Sequence, residues 1–303
     1  MKIKRKGILF LIGVLIISLF SMIPLNSYSK KDVMPWMSYI HDDTKISDIS
    51  IPGTHDSGAT HSIFDVSGKC QDLSIKQQLR VGVRFFDLRL QLVNDEFKIV
   101  HSFVKQNLSF KKVMKDLSNF INENNSEFII ISLKKEASDK NSTLDFKDKL
   151  TSDLNEYKDV ISFDKELPEY INDARGKIYI FDRYGLDYGI PLSNWSDDTS
   201  FEVNNYYVQD NYCISDLKEK QEDIIKAIDY KNSNDNIVIN FTSCYLDYGF
   251  PPTYAGSSAN KINPWFYDYI NESNMKLGIV VMDFMTIDLA KAIYMRNYLW
   301  VRC

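Results

Sequence analysis

Glycine, proline and cysteine are scarce, at 12, 8 and 4 in 303 residues. That scarcity excludes a collagen-like repeat, a disordered tail and a disulfide-dense mini-protein. Long basic runs are missing too, and the net charge is −5, which argues against nucleic acid as a partner. The four cysteines, Cys70, Cys213, Cys244 and Cys303, are widely spaced and form no CxxC pair, so they do not read as a zinc site. Their pairing stays open. Neither a linker rich in Pro, Gly or Ser nor an internal repeat divides the chain. What is abundant is apolar: 44% hydrophobic and 13% aromatic residues describe a globular chain with a sizeable core.

The first residues read differently from the rest. Lys2, Lys4, Arg5 and Lys6 precede an apolar run from Gly7 to Ile23, and small residues follow at Ser27 and Ser29. This order predicts a cleaved secretory signal peptide over residues 1–29, hence a secreted, extracellular protein of residues 30–303. A retained membrane anchor is the competing reading of so long an apolar stretch. Cleavage would leave 32 of the 36 basic residues against 41 acidic ones, a net charge of −9. Such a chain is not drawn to anionic membranes by charge, so membrane contact would have to be local and apolar.

From residue 46 onward, short β-rich runs alternate with amphipathic stretches. Strands are predicted at 46–51, 83–92, 97–101, 128–134, 177–183, 206–209, 237–241 and 277–283. Several are continuous apolar runs, as in Phe128-Ile129-Ile130-Ile131, which suit strands buried on both faces of a parallel sheet. Helices are predicted at 109–122, 144–157, 215–231, 264–274 and 288–296. In the first of these, Phe110, Val113, Met114, Leu117, Phe120 and Ile121 line one face, with Ser109 as N-cap. Alternation over the whole length points to a single α/β barrel.

A parallel barrel places its chemistry at the C-terminal ends of its strands. Those positions are filled here by His55, Asp56, Arg89, His101, Lys134, Glu136, Arg183, Asp210, Tyr212 and Asp283. Any one such residue is more often structural, but gathering so many charges without function would be costly. Of the four histidines, His41 and His61 sit in polar loop sequence and read as surface residues. His55 lies in Ile51-Pro52-Gly53-Thr54-His55-Asp56-Ser57-Gly58, where the glycines would permit a tight loop. Two imidazoles flanking a phosphodiester can serve as general base and general acid when the substrate carries its own nucleophilic hydroxyl.

The segment ISIPGTHDSGAT (49–60), followed by VRFFDLRL (83–90), SLKKE (132–136) and NFTS (240–243), resembles the bacterial phosphatidylinositol-specific phospholipase C family. The resemblance runs from about Trp36 to the C-terminus. It implies a single distorted (β/α)8 TIM-type barrel, monomeric, that splits phosphatidylinositol at a membrane surface. The implied products are diacylglycerol and inositol 1,2-cyclic phosphate, and glycosylphosphatidylinositol (GPI) anchors come within the implied substrate range.

By this resemblance His55 is the general base, with Asp283 fixing its tautomer. His101 is the general acid, paired with Asp56, and Arg89 holds the phosphate. Lys134, Arg183 and Asp210 bind ring hydroxyls, and Tyr212 lies against the sugar face. Asp87 and Glu136 brace these groups. Arg89 stands where calcium-dependent relatives hold their metal, and a cation beside it would be repelled, so no metal or other cofactor is expected.

Two features depart from the family pattern. Val100-His101-Ser102-Phe103 replaces a paired His-His-Gly, and segment 62–71 lacks a membrane-inserting Trp. The aromatic segment 245–254 offers either an interfacial contact or a packed surface loop. The competing functions are a metal-dependent glycerophosphodiester phosphodiesterase, which chelation would abolish, and a non-catalytic phosphoinositide- or carbohydrate-binding barrel.

Overall fold

The computed structural model describes residues 34–61, 68–102, 104–247 and 254–298. The expected signal peptide, Cys303, residues 62–67 and the centre of the aromatic segment at 248–253 lie outside these. No helix among the described residues is long and apolar enough to cross a membrane.

In chain order the strands are β1 (Ile51–Thr54), β2 (Phe85–Val93), β3 (Glu96–His101), β4 (Val104–Ser109) and β5 (Ile129–Lys135). Then come β6 (Ile161–Ser162), β7 (Ile178–Asp182), β8 (Ile190–Pro191), β9 (Ser200–Val203) and β10 (Tyr206–Gln209). The last four are β11 (Cys213–Ile214), β12 (Ile237–Phe241), β13 (Tyr245–Leu246) and β14 (Ile279–Met282). Strands β7, β5, β2, β1, β14, β12 and β10 lie side by side in that order, all parallel.

This is the barrel expected from the alternation, with one seam open. Among the described residues no ladder joins the β7 side to the β10 side. The eighth position is held only by two-residue pieces, β6 beside the start of β7 and β8 beside its end, and β8 closes on Pro191, a residue with no N–H to extend the ladder.

Side-chain alternation sorts the strands into two cores. Phe85, Ile130, Phe181, Val208, Phe241 and Val281 point one way, joined by Trp36, Met37 and Ile40 from the segment before β1. Phe86, Ile131, Ile180, Val280 and Met282 point the other way, onto the helices, meeting Leu79, Val113, Leu117, Ile224, Ile262 and Phe266. Four helix starts have a local cause: Ser109, Asp145, Asp216 and Thr286 each accept a backbone N–H of the helix that follows.

Four expectations need correction. Residues 46–51 are not one strand: Ile46–Asp48 is a 3₁₀ turn, and β1 starts at Ile51. Helix Ile75–Val81 was not anticipated, although Ser74 and Gln77 form a capping box. The helix expected from residue 264 starts at Ala255 and carries Pro264 inside it. Strands β2 to β4 form an antiparallel meander in place of parallel strands. Asn94 and Asp95, both at positive φ, make the two-residue turn that permits it.

The N-terminal end of the barrel is closed by a buried ion pair. Arg84 and Glu127 are both fully buried, with Nη2 and Nε at 2.8 and 2.9 Å from Oε2. Nη1 donates to the carbonyls of Leu79 and Val83, and Nη2 to that of Met34, so the guanidinium spends its donors inside the protein. Burial pulls the Arg84 pKa down, and the Glu127 carboxylate opposes this. Removing one partner strands the other charge. Glu127→Ala is therefore expected to cost about 3–5 kcal/mol in denaturant unfolding, with a near-native site in the fraction that stays folded.

Candidate active site

The turn after β1 delivers two side chains. Asp56 adopts φ 42°, and the backbone N–H of Ser57 donates to Asp87 O at 2.8 Å. The flanking glycines serve packing, not turn conformation: neither has a positive φ. A Cβ on Gly58 would meet Ile99 at 2.6 Å, and one on Gly53 would meet Phe85 at 3.0 Å.

His55 is clamped from both ring nitrogens. Its Nδ1 lies 2.8 Å from Asp283 Oδ1, at the end of β14, and Arg89 Nη2 lies 2.7 Å from its Nε2. A guanidinium can only donate, so the geometry selects the neutral ring with its proton on Nδ1 and a lone pair on Nε2. Burial lowers the His55 pKa, but the charges of Asp283 and Asp56 outweigh it and set the value at about 8.

Arg89 is the hub. Its Nε is 3.2 Å from both Asp56 and Asp87, and its Nη1 is 3.4 Å from Glu136. Register places Lys134 beside Arg89 on neighbouring strands, with Lys134 Nζ 3.3 Å from Glu136. His101 Nε2 lies 3.6 Å from Asp56 Oδ2, which also faces His55 Nε2 at 3.4 Å. Burial raises the Asp56 pKa against the pull of Arg89, whereas Arg89 and Arg183 overcome burial to hold Asp87 well below the usual range. The carboxylates gathered here surround guanidinium groups.

A second group adjoins the first through Asp87. Arg183 is 3.6 Å from Asp87 and 3.8 Å from Asp210. Tyr212 stands at the half-exposed rim, with its hydroxyl 3.0 Å from Asp197 and its ring tilted against Tyr245. It touches none of the His55–Arg89 contacts. Trp195 was missed by sequence reasoning. Its ring lies 3.8 Å under the Arg183 guanidinium, and its Nε1 donates to Asp210 at 2.8 Å. The only hint was a bulky ring in the polar run Ser193-Asn194-Trp195-Ser196-Asp197-Asp198. Gln71 was missed too; its amide donates to the His55 and Met282 carbonyls and ties the turn to β14.

Several buried polar atoms in this mouth have no hydrogen-bond partner: Asp56 Oδ2, Asp87 Oδ1, Glu136 Oε2, and Arg183 Nε and Nη1. Such atoms mark a place made for a polar ligand. Among the described residues, His55, Asp56 and Cys70 are the group with metal-ligand spacing.

Residues 45–184 match the family model "Phosphatidylinositol-specific phospholipase C, X domain". The 1-phosphatidylinositol phosphodiesterase of Listeria monocytogenes is 28% identical over 284 residues, covering 90% of this chain and 86% of that protein. The enzyme of the same name from Staphylococcus aureus strain Newman is 28% identical over 276 residues, covering 82% of this chain and 87% of its own. Among solved structures, the L. monocytogenes phosphatidylinositol-specific phospholipase C superposes with a TM-score of 0.74 at 24% identity, covering 89% of this chain and 99% of that one. Residues 45–184 thus carry the X domain of phosphatidylinositol-specific phospholipase C, and most of the chain is similar to the bacterial enzymes of that kind. Its X domain is that of a phosphoric-diester-cleaving enzyme, and its fold is a TIM-type barrel.

The clamp on His55 makes a spectroscopic prediction. The imidazole should titrate near pH 8 by NMR. Asp283→Asn removes the larger of the two negative charges that raise this pKa, so the midpoint should move to lower pH. An unchanged midpoint would refute the clamp.

Proposed function

We propose that this chain splits phosphatidylinositol into diacylglycerol and inositol 1,2-cyclic phosphate by metal-independent general acid–base catalysis. The observation that carries this reading is the His55 clamp: Asp283 holds Nδ1–H, and the Nε2 lone pair points at the guanidinium that would take the phosphate.

In the proposed step, His55 Nε2 removes the proton of the inositol 2-hydroxyl, and that oxygen attacks phosphorus. The bond from phosphorus to the diacylglycerol oxygen breaks as His101, positioned by Asp56, delivers its proton there. Arg89 leaves His55 for the non-bridging oxygens and stabilises their developing charge. Lys134, Arg183 and Asp210 take the ring hydroxyls, which the open hydrogen-bonding capacity of Asp87, Glu136 and Arg183 favours. Tyr212 covers the sugar from the rim, and Asp87 and Glu136 hold Arg89 in place.

The same reading makes the mature enzyme a secreted monomer, residues 30–303, released from a signal peptide at 1–29. It would act at membrane surfaces and accept GPI anchors as well as the free lipid. No nucleic acid is a partner.

Phosphorus NMR of phosphatidylinositol micelles tests the reaction. The expected product is the cyclic phosphate, with turnover undiminished by excess EDTA. Glycerol phosphate products, or activity abolished by EDTA, would favour a metal-dependent diesterase. His55→Ala and His101→Ala should each lower turnover by at least about 10²–10⁴-fold; wild-type turnover in either variant would sink the assignment.

A further inference from the structure

One thiol in this site has no part in the proposed reaction. Cys70 is fully buried, and its Sγ lies 3.9 Å from His101 Nδ1. Its backbone is fixed on both sides: its N–H donates to Ala59 O at 2.8 Å, and its carbonyl accepts from Phe284 N at 2.7 Å. Gln71, the next residue, is pinned to both His55 and Met282. The thiol is therefore held in position by the barrel's own strand-end segments.

Cys70 Sγ and single ligand atoms of His55 and Asp56 all lie within 4.8 Å of one another. The Asp56 oxygen nearest the imidazoles, Oδ2, is buried and accepts no hydrogen bond. His55 Nε2 and Asp56 Oδ2 are 3.4 Å apart. Ligand atoms around a tetrahedral zinc ion are about 3.3–3.6 Å apart, given bonds of about 2.0–2.3 Å. Asp283 on Nδ1 supplies the carboxylate–histidine arrangement that orients metal-bound imidazoles.

We propose that His55, Asp56 and Cys70 form an inhibitory site for a thiophilic divalent cation such as Zn²⁺. On binding, the Cys70 S–H bond breaks, its proton passes to solvent, and the thiolate pair forms the metal bond. His55 Nε2 gives its lone pair to the metal in place of the Arg89 contact, and Arg89 keeps Asp87 and Glu136 as partners. The new thiolate cancels one of the two charges of the ion, so Arg89 faces one added positive charge, half of what a cation bound without the thiol would bring. A hard cation such as Ca²⁺ gains little from sulfur and keeps its full repulsion. The occupied site has lost its base, which stops turnover. That consequence rests on the proposed reaction, but the metal site does not.

The test uses purified enzyme, freed of metal with chelator, beside Cys70→Ser and Cys70→Thr. Co²⁺ should give a near-ultraviolet thiolate-to-cobalt charge-transfer band in the wild type and none in either variant. Zn²⁺ should inhibit the wild type reversibly, with at least about tenfold weaker inhibition in both variants, whose metal-free turnover should match the parent. Absence of the cobalt band, or equal zinc inhibition with and without the thiol, would overturn the site. A cobalt band in a protein that does not turn over phosphatidylinositol would instead leave the site standing and refute the reaction.

Discussion

Asp283, His55 and Arg89 form a line of contacts in which a single lone pair, on His55 Nε2, has two claimants. A proton there turns the nitrogen into a donor, and a guanidinium donor at 2.7 Å cannot share the position. Proton and Arg89 are thus mutually exclusive occupants. Asp56 favours both: with Asp283 it raises the His55 pKa, and with Asp87 and Glu136 it holds Arg89. The site carries more carboxylates than cations, and the rest of its geometry follows from distributing three positive side chains, Arg89, Arg183 and Lys134, among them. Burial makes each of those pairings matter more than it would in water.

Much of the barrel was legible because its strands are buried on both faces. Runs such as Ile129–Ile131 need no partner to be recognised. Legibility failed where one local feature served a tertiary purpose. Ile46, Ile49 and Ile51 look like one strand, yet Ile46 and Ile49 are buried from a 3₁₀ turn that plugs the barrel's end. Strand β4 was invisible because one of its two buried positions is Gln106, a polar residue whose amide bonds to Gly68 O and His61 N. Pro264 suggested a helix start, although it sits mid-helix.

The site divides the same way. Histidines, arginines and aspartates at strand ends could be read from sequence, since a barrel brings those ends to one mouth. Trp195, Gln71 and Cys70 could not. They reside in connecting segments, and only long-range contacts, such as Trp195 with Arg183 and Gln71 with Met282, decide where they point. The glycines of the first motif were read as hinges for a turn; what they provide is room for Phe85 and Ile99.

Strand β1 pairs along its whole length with β14, and Asn297 clasps the Ser50 backbone through both its amide oxygen and nitrogen. The beginning and end of the barrel therefore meet across nearly the entire chain. Contacts so distant in sequence carry a loop-closure cost before they stabilise anything, which slows folding. The residue that orients His55 is itself 228 positions downstream of it. A ribosome must deliver almost everything before the His55 ring is oriented, so an unfinished chain lacks the assembled site.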